Sequence, residues 1–226
     1  DIGSLIESPS YYGHLTGLEN MTIMQRLLDL PKKNVNEALK IVRLENQKNK
    51  KVSQYSLGMK QRLGIAMAIM KFPKLLILDE PTNGLDPAGI EEIRELIKSL
   101  PEKYGMTVLI SSHLLSEIDQ IATSIGIINH GELVFQDSIK ELHNRGQSQI
   151  AIKTKNVVSA QKLLNTKGYM SLIQDGYLTI ENLKDSDVAK INGMLVHSNI
   201  DVFRIEEHKK SLEDIFLELT GKAVTL

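Results

Sequence analysis

Residues 75–86 read LLILDEPTNGLD, and this stretch limits the possible folds more than any other. Four apolar residues, Leu75 to Leu78, run directly into two adjacent carboxylates, Asp79 and Glu80. Pro81 and a Thr82-Asn83-Gly84 turn end the run. A short apolar run bounded by turn signals predicts a buried strand of a parallel sheet. Acids at the C-terminal end of such a strand stand where open α/β sheets bind ligands. One carboxylate can hold a hard cation through oxygen, and the next can polarise a water. Taken alone, an Asp-Glu pair is more commonly a plain strand end facing solvent.

The neighbouring segments change that balance. Ser56 precedes LGMKQRLGIAMAIM, a stretch of helix formers that is apolar nearly all round, which predicts a capped, buried helix. Its N-terminus would offer free amides and the positive end of a dipole to an anion, and Gly58 would allow close approach. By itself Ser56 is equally an ordinary N-cap. After the acids, Asp86 can cap a helix with Pro87 at its first position, and Ile90, Ile93, Leu96, Ile97 and Leu100 recur at helical spacing. Thr107–Ser111 (TVLIS) predicts another buried strand, delivering His113 to the same sheet end as Asp79 and Glu80. Ile125–Ile128 and Glu132–Gln136, joined by Asn129-His130-Gly131, predict a hairpin.

In this order and spacing the segments resemble the nucleotide-binding domain of ABC transporters, over roughly residues 1–136. YSLGMKQR (55–62) resembles the signature motif, LLILDE the Walker B strand, Gly84-Leu85-Asp86 the D-loop, and His113 the switch histidine. Each motif alone is weak, whereas the ordered set is specific. The resemblance implies ATP and Mg²⁺ as ligands. It implies Asp79 as the metal-holding acid, Glu80 as the catalytic glutamate and His113 as a contact to the γ-phosphate. Ser56, Gly58 and Gln61 would touch nucleotide across a dimer interface, and Asp86 would help couple two sites. Tyr55, Leu57 and Met59 depart from the usual LSGGQ pattern, while Gln61 and Arg62 match it. Residues 1–21 resemble the Q-loop and the start of a helical subdomain (about 10–72), with Glu7 where most of the family has Gln. Members serving bacitracin export or lantibiotic immunity often carry Glu there, and they give the nearest likeness. Helices over Met21–Leu30 and Val35–Leu44, broken at Pro31, would face a membrane partner.

The sequence contains no G-x-x-x-x-G-K-[S/T] phosphate loop, and it begins with Asp1 almost on top of the Q-loop. The expectation is therefore an incomplete P-loop NTPase domain, truncated at its N-terminus, which alone would be inactive toward ATP. With 27 basic and 28 acidic residues the net charge is −1, so no strong attraction to nucleic acid is expected. The absence of Cys fits a reducing compartment and excludes Cys-ligated metal. No apolar run reaches the roughly 18 residues that would span a membrane.

Residues 137–148 read as a polar connector. Beyond it, strands at Ile150–Thr154, Tyr169–Gln174, Tyr177–Glu181 and Asp201–Glu207 alternate with helices at Val157–Thr166 and Ser186–Ser198. That βαββαβ order predicts a small ferredoxin-like accessory domain over 149–226. Its last helix, SLEDIFLELTG (211–221), has a Ser-x-x-Asp cap, ends at Gly221 and is a candidate dimer contact.

Three functions remain open. The first is the ATP-hydrolysing subunit of a peptide-antibiotic exporter, paired with a second ATP-binding subunit (identical or different) and a membrane permease. It would sit on the cytoplasmic face of the membrane. The second is a soluble ABC ATPase unconnected with transport. The third is a non-catalytic interaction module.

Overall fold

The computed structural model describes residues 1–7, 9–146, 149–181, 183–208 and 211–221. The chain divides into two compact units, Asp1–Ile121 and Ala122–Leu226. The hairpin at residues 124–138 therefore belongs with the second unit and not with the region ending at 136.

Strands β1 (Ile2–Leu5), β2 (Leu75–Asp79) and β3 (Thr107–Ser111) form a parallel sheet with β2 in the centre. Leu5 pairs with Leu78 and Asp79 with Ser111, so the three C-terminal ends share one edge. The 75–79 run was expected to be a buried strand. Its burial alternates, with Leu76 and Leu78 fully buried and Leu75, Ile77 and Asp79 partly buried. One face carries the core shared with α3 (Leu57–Ile69) and α4 (Pro87–Tyr104). On the other face Ile2 and Leu109 are exposed. Each fully buried leucine contributes about 1.5–3 kcal/mol.

Gly3 lets α3 lie directly on β1. A Cβ there would stand 2.1 Å from the Ala68 carbonyl oxygen and 3.0 Å from Pro73 Cγ. Because the obstacle is helix backbone, Gly3→Ala is expected to destabilise unit 1 by about 1–3 kcal/mol. A drop in the urea midpoint checks this, and an unchanged midpoint would contradict the packing.

Helix α1 (Gly17–Leu27) starts four residues before the expected Met21, because Thr16 and Glu19 form a capping box. The Thr16 backbone and hydroxyl hydrogen bonds hold the Glu19 carboxyl below the usual glutamate range. Helix α2 (Lys32–Ile41) likewise starts early, with Pro31 as its N-cap, and Arg43 in a left-handed conformation (φ 57°) follows its end. Ser56 caps α3 by accepting from the Met59 amide, and Asp86 caps α4 by accepting from the Gly89 amide, both as expected. Helix α5 (Leu115–Ile121) follows β3.

In the second unit β4 (Ser124–Asn129) and β5 (Glu132–Ser138) make the hairpin. His130 and Gly131, at φ 49° and 82°, supply the left-handed pair of a tight two-residue turn. The segment read as a connector contains a helix, α6 (Ile139–Arg145), capped by Ser138 and anchored by buried Leu142. A seven-residue helix with few apolar anchors leaves little periodicity to detect. Strands β6 (Gln149–Thr154), β7 (Leu172–Gln174), β8 (Tyr177–Glu181) and β9 (Val202–His208) form an antiparallel sheet in the order β7-β8-β6-β9. With α7 (Val157–Thr166) and α8 (Asp185–His197) this is the ferredoxin-like βαββαβ arrangement. Strand β7 is shorter than Tyr169–Gln174, because Asn165 holds Ser171 through its amide and hydroxyl. Helix α9 (Leu212–Leu219) has the expected Ser211–Asp214 cap and buries Leu212 and Ile215. Among the described residues no helix is long and apolar enough to cross a membrane.

Candidate active site

The parallel sheet brings Asp79, Glu80 and His113 to one edge. Asp79 is the last residue of β2, and its register partner Ser111 donates a hydroxyl hydrogen bond to the Asp79 carboxylate. The Glu80 amide turns back to β3, donating to Ser111 O at 3.2 Å and Ser111 Oγ at 3.1 Å. Glu80 itself is left-handed, with φ 46°. For a non-glycine residue that conformation costs energy and persists only where the surroundings impose it. It sets the carboxylate against His113, with Nδ1 and Oε2 2.7 Å apart. With the carboxylate as acceptor, the facing ring nitrogen is the donor.

A cleft of about 430 Å³ opens beside this edge. Glu7, Pro9, Tyr11, Leu57, Lys60 and Gln61 line it, with Asp79, Glu80 and Asn83. Glu7 follows β1 and is also left-handed, with φ 51°. Three carboxylates face one ammonium, and Lys60 Nζ lies 5.9 Å from the Tyr11 ring centre. Such a lining attracts cations. Among the described residues no group of three or more potential ligands is arranged to hold a metal unaided. Two strand-end carboxylates suit Mg²⁺, which keeps waters and substrate phosphates for its remaining positions.

Of the residues singled out from sequence, Glu7, Gln61, Asp79 and Glu80 share this cleft. His113 joins them through Glu80. Ser56 and Gly58 stand at the N-terminus of α3, where a Cβ on Gly58 would meet only open space. Asp86 is occupied as the cap of α4. The departures in the 55–62 segment have separate consequences. Tyr55 is buried and donates its hydroxyl to Gln47 O at 2.7 Å, and burial raises its phenol pKa. Leu57 is half-exposed and borders the cleft. Ser111, Tyr11 and Lys60 were not singled out. The parallel pairing of LLILD with TVLIS, aligned on their C-terminal ends, was the available signal for Ser111.

The first 83 residues match the model of the ABC transporter family. Over 223 residues, 97% of this chain and 72% of the relative, the chain is 44% identical to the bacitracin transport ATP-binding protein BcrA of Enterococcus faecalis. The chain belongs to the family of ABC transporter ATP-binding proteins. The Bacillus licheniformis protein of the same description is 42% identical over 225 residues, 97% of this chain and 73% of that protein. The lantibiotic transport ATP-binding protein SrtF of Streptococcus pyogenes is 46% identical over 149 residues, 63% of this chain and 65% of that protein. A solved structure described as an ATP binding subunit of an ABC transporter superposes with a TM-score of 0.52 at 26% identity. It covers 63% of this chain and 61% of that one. The α/β fold of this ABC protein is thus that of the ABC ATP-binding domain, and its relatives include bacitracin and lantibiotic transport ATPases.

Proposed function

We propose that the Asp79–Glu80–His113 edge is the hydrolytic centre of an ABC subunit that powers export of, or immunity to, peptide antibiotics of the bacitracin or lantibiotic kind. The observation that carries this reading is the Glu80 carboxylate, fixed 2.7 Å from His113 Nδ1 beside Asp79 at the C-terminal edge of a parallel sheet. Glu80 orients a water and takes its proton as that water attacks the γ-phosphorus, while the bond to the β–γ bridging oxygen breaks and ADP leaves. His113 holds Glu80 in position and presents its other ring nitrogen toward the phosphate. Asp79, oriented by Ser111, would hold Mg²⁺, with Glu7 as a further oxygen donor in the same cleft. When bound, Mg²⁺ neutralises charge on the phosphate oxygens. Ser56 and Gly58 place the amides and dipole of α3 against the nucleotide of a second ATP-binding subunit. In this reading Gln61 touches nucleotide from α3, and Asp86 helps to couple the two sites.

The names of the relatives support the transport assignment. In this role the subunit associates with an integral membrane permease at the cytoplasmic face, with residues of the 10–72 region as the docking surface. The ferredoxin-like region serves as an accessory module, and α9 as a candidate dimer contact. Within these 226 residues the sequence carries the hydrolytic part of an ATP site without a G-x-x-x-x-G-K-[S/T] loop. That favours, for the chain by itself, neither tight ATP binding nor turnover. Affinity purification of the tagged chain from membranes of its native host tests the transport role. Recovery of a polytopic membrane subunit is the expected result. Recovery with ribosomes or nucleic acid, and no membrane subunit, would overturn it.

A further inference from the structure

Thr82 and Glu117 are polar residues buried as deeply as the aliphatic core, at 3% and 5% exposure. The Thr82 hydroxyl donates to Glu117 Oε2. The second carboxylate oxygen, Oε1, is buried with no hydrogen-bond partner among the described residues. A buried carboxylate costs stability unless its oxygens are satisfied, and an apolar side chain of similar size would fill the space at lower cost. One hydroxyl does little to offset that cost. What the pair supplies is direction, because a hydrogen bond fixes the mutual placement of two segments more narrowly than apolar contact does.

The segments it joins carry the reacting groups. Thr82 lies two residues after Glu80, in a turn tied by Asn83 N–H to Glu80 O at 3.1 Å and Leu85 N–H to Thr82 O at 3.2 Å. Glu117 lies in the first turn of α5, four residues after His113, with its amide on Leu114 O at 3.0 Å. Glu80 and His113 meet at 2.7 Å where solvent reaches them, His113 being 61% exposed. A contact so open to water is weak by itself. The left-handed Glu80 backbone also needs a rigid surrounding to persist. Ser111 supplies that on the β3 side, through the bonds from the Glu80 amide.

We propose that Glu117 is a positioning residue: its buried bond to Thr82 locks the turn after β2 to α5 and so sets the Glu80–His113 pair. The functional meaning rests on the hydrolytic reading of Glu80 and His113, while the coupling itself is a property of the fold.

Nitrogen-15 NMR of imidazole-labelled chain, at a pH where ordinary imidazole is neutral, tests this without any need for turnover. The unsubstituted chain is expected to show His113 protonated on Nδ1 with Nε2 bare. In Thr82→Val and Glu117→Leu the ratio of Nδ1–H to Nε2–H forms should fall roughly five-fold, the effect of one lost hydrogen bond. Glu117→Gln, whose amide oxygen still accepts from Thr82, should restore the ratio. Amide resonances of the first unit report folding, and Thr82→Val carries the test if Glu117→Leu does not fold. An unchanged ratio in folded Thr82→Val would overturn the inference alone. Absence of the Nδ1–H form in the unsubstituted chain would overturn the Glu80–His113 pairing and the inference with it.

Discussion

Purified 226-residue chain is expected to release phosphate from Mg-ATP no faster than a protein-free blank. The edge proposed to react is in place, with Glu80 set against His113 and Asp79 against Ser111. What the sequence does not offer is the part that holds the triphosphate. No glycine is followed by the Lys-Ser/Thr ending of a phosphate loop. The cleft is lined by Glu7, Asp79 and Glu80, with Lys60 the one cation among its described lining residues. Against a polyanion that lining repels until a metal ion intervenes. Each preorganised donor to a developing oxyanion is worth about 10²–10³-fold in rate, and a phosphate loop provides several together with a lysine. Losing all of them removes more acceleration than a sensitive phosphate assay can recover. Calorimetric titration with Mg-ATP should likewise show no saturable heat. Turnover that disappears in Glu80→Gln would mean that the chain builds a phosphate cradle by another route.

Much of this edge was legible because each strand combines a short apolar run with an unmistakable stop. LLILD ends in two acids before Pro81, and TVLIS ends at Ser112-His113. Parallel pairing then brings the stops together with no further information. The caps at Ser56 and Asp86 were equally readable, since capping chemistry is local. Three features escaped for reasons that are not local. The 75–79 strand is less deeply buried on one side because α3 and α4 cover the other, which an apolar run cannot reveal. The left-handed backbones at Glu7 and Glu80 are imposed by the sheet edge, as neither residue favours that conformation by itself. The Thr82–Glu117 bond joins residues 35 apart in sequence, and a glutamate in SEIDQ looks like one more solvated acid of an amphipathic helix until its burial is seen. Helix α6 was missed for the opposite reason, being local but too short for periodicity to register.

Glu80→Gln should separate binding from hydrolysis once the missing cradle is supplied. A chimera that places a phosphate loop and its flanking strand and helix ahead of β1 would present nucleotide to the existing edge. The E. faecalis bacitracin transport ATP-binding protein, 44% identical over 223 residues, is a suitable donor. In the chimera Glu80→Gln keeps the shape of the side chain and an acceptor oxygen toward the His113 proton. It removes the basicity needed to take a proton from water, and general-base catalysis typically contributes about 10²–10⁴-fold. The turnover number should therefore fall by at least about 10²-fold while the dissociation constant for Mg-ATP changes little, since binding depends on the loop and on Asp79. Asp79→Asn should show the complementary pattern, with weakened Mg-dependent binding accompanying the loss of rate. His113→Ala should fall between them, because Glu80 keeps its anchors on Ser111 but loses the partner that aims its carboxylate. Nucleotide-driven dimerisation, followed by size exclusion, should persist longest in the Glu80→Gln protein, since a site that closes without hydrolysing has no step to reopen it. Equal turnover by Glu80→Gln and the unsubstituted chimera would remove Glu80 from the role of base and leave His113 and Asp79 to be reassigned around another proton acceptor.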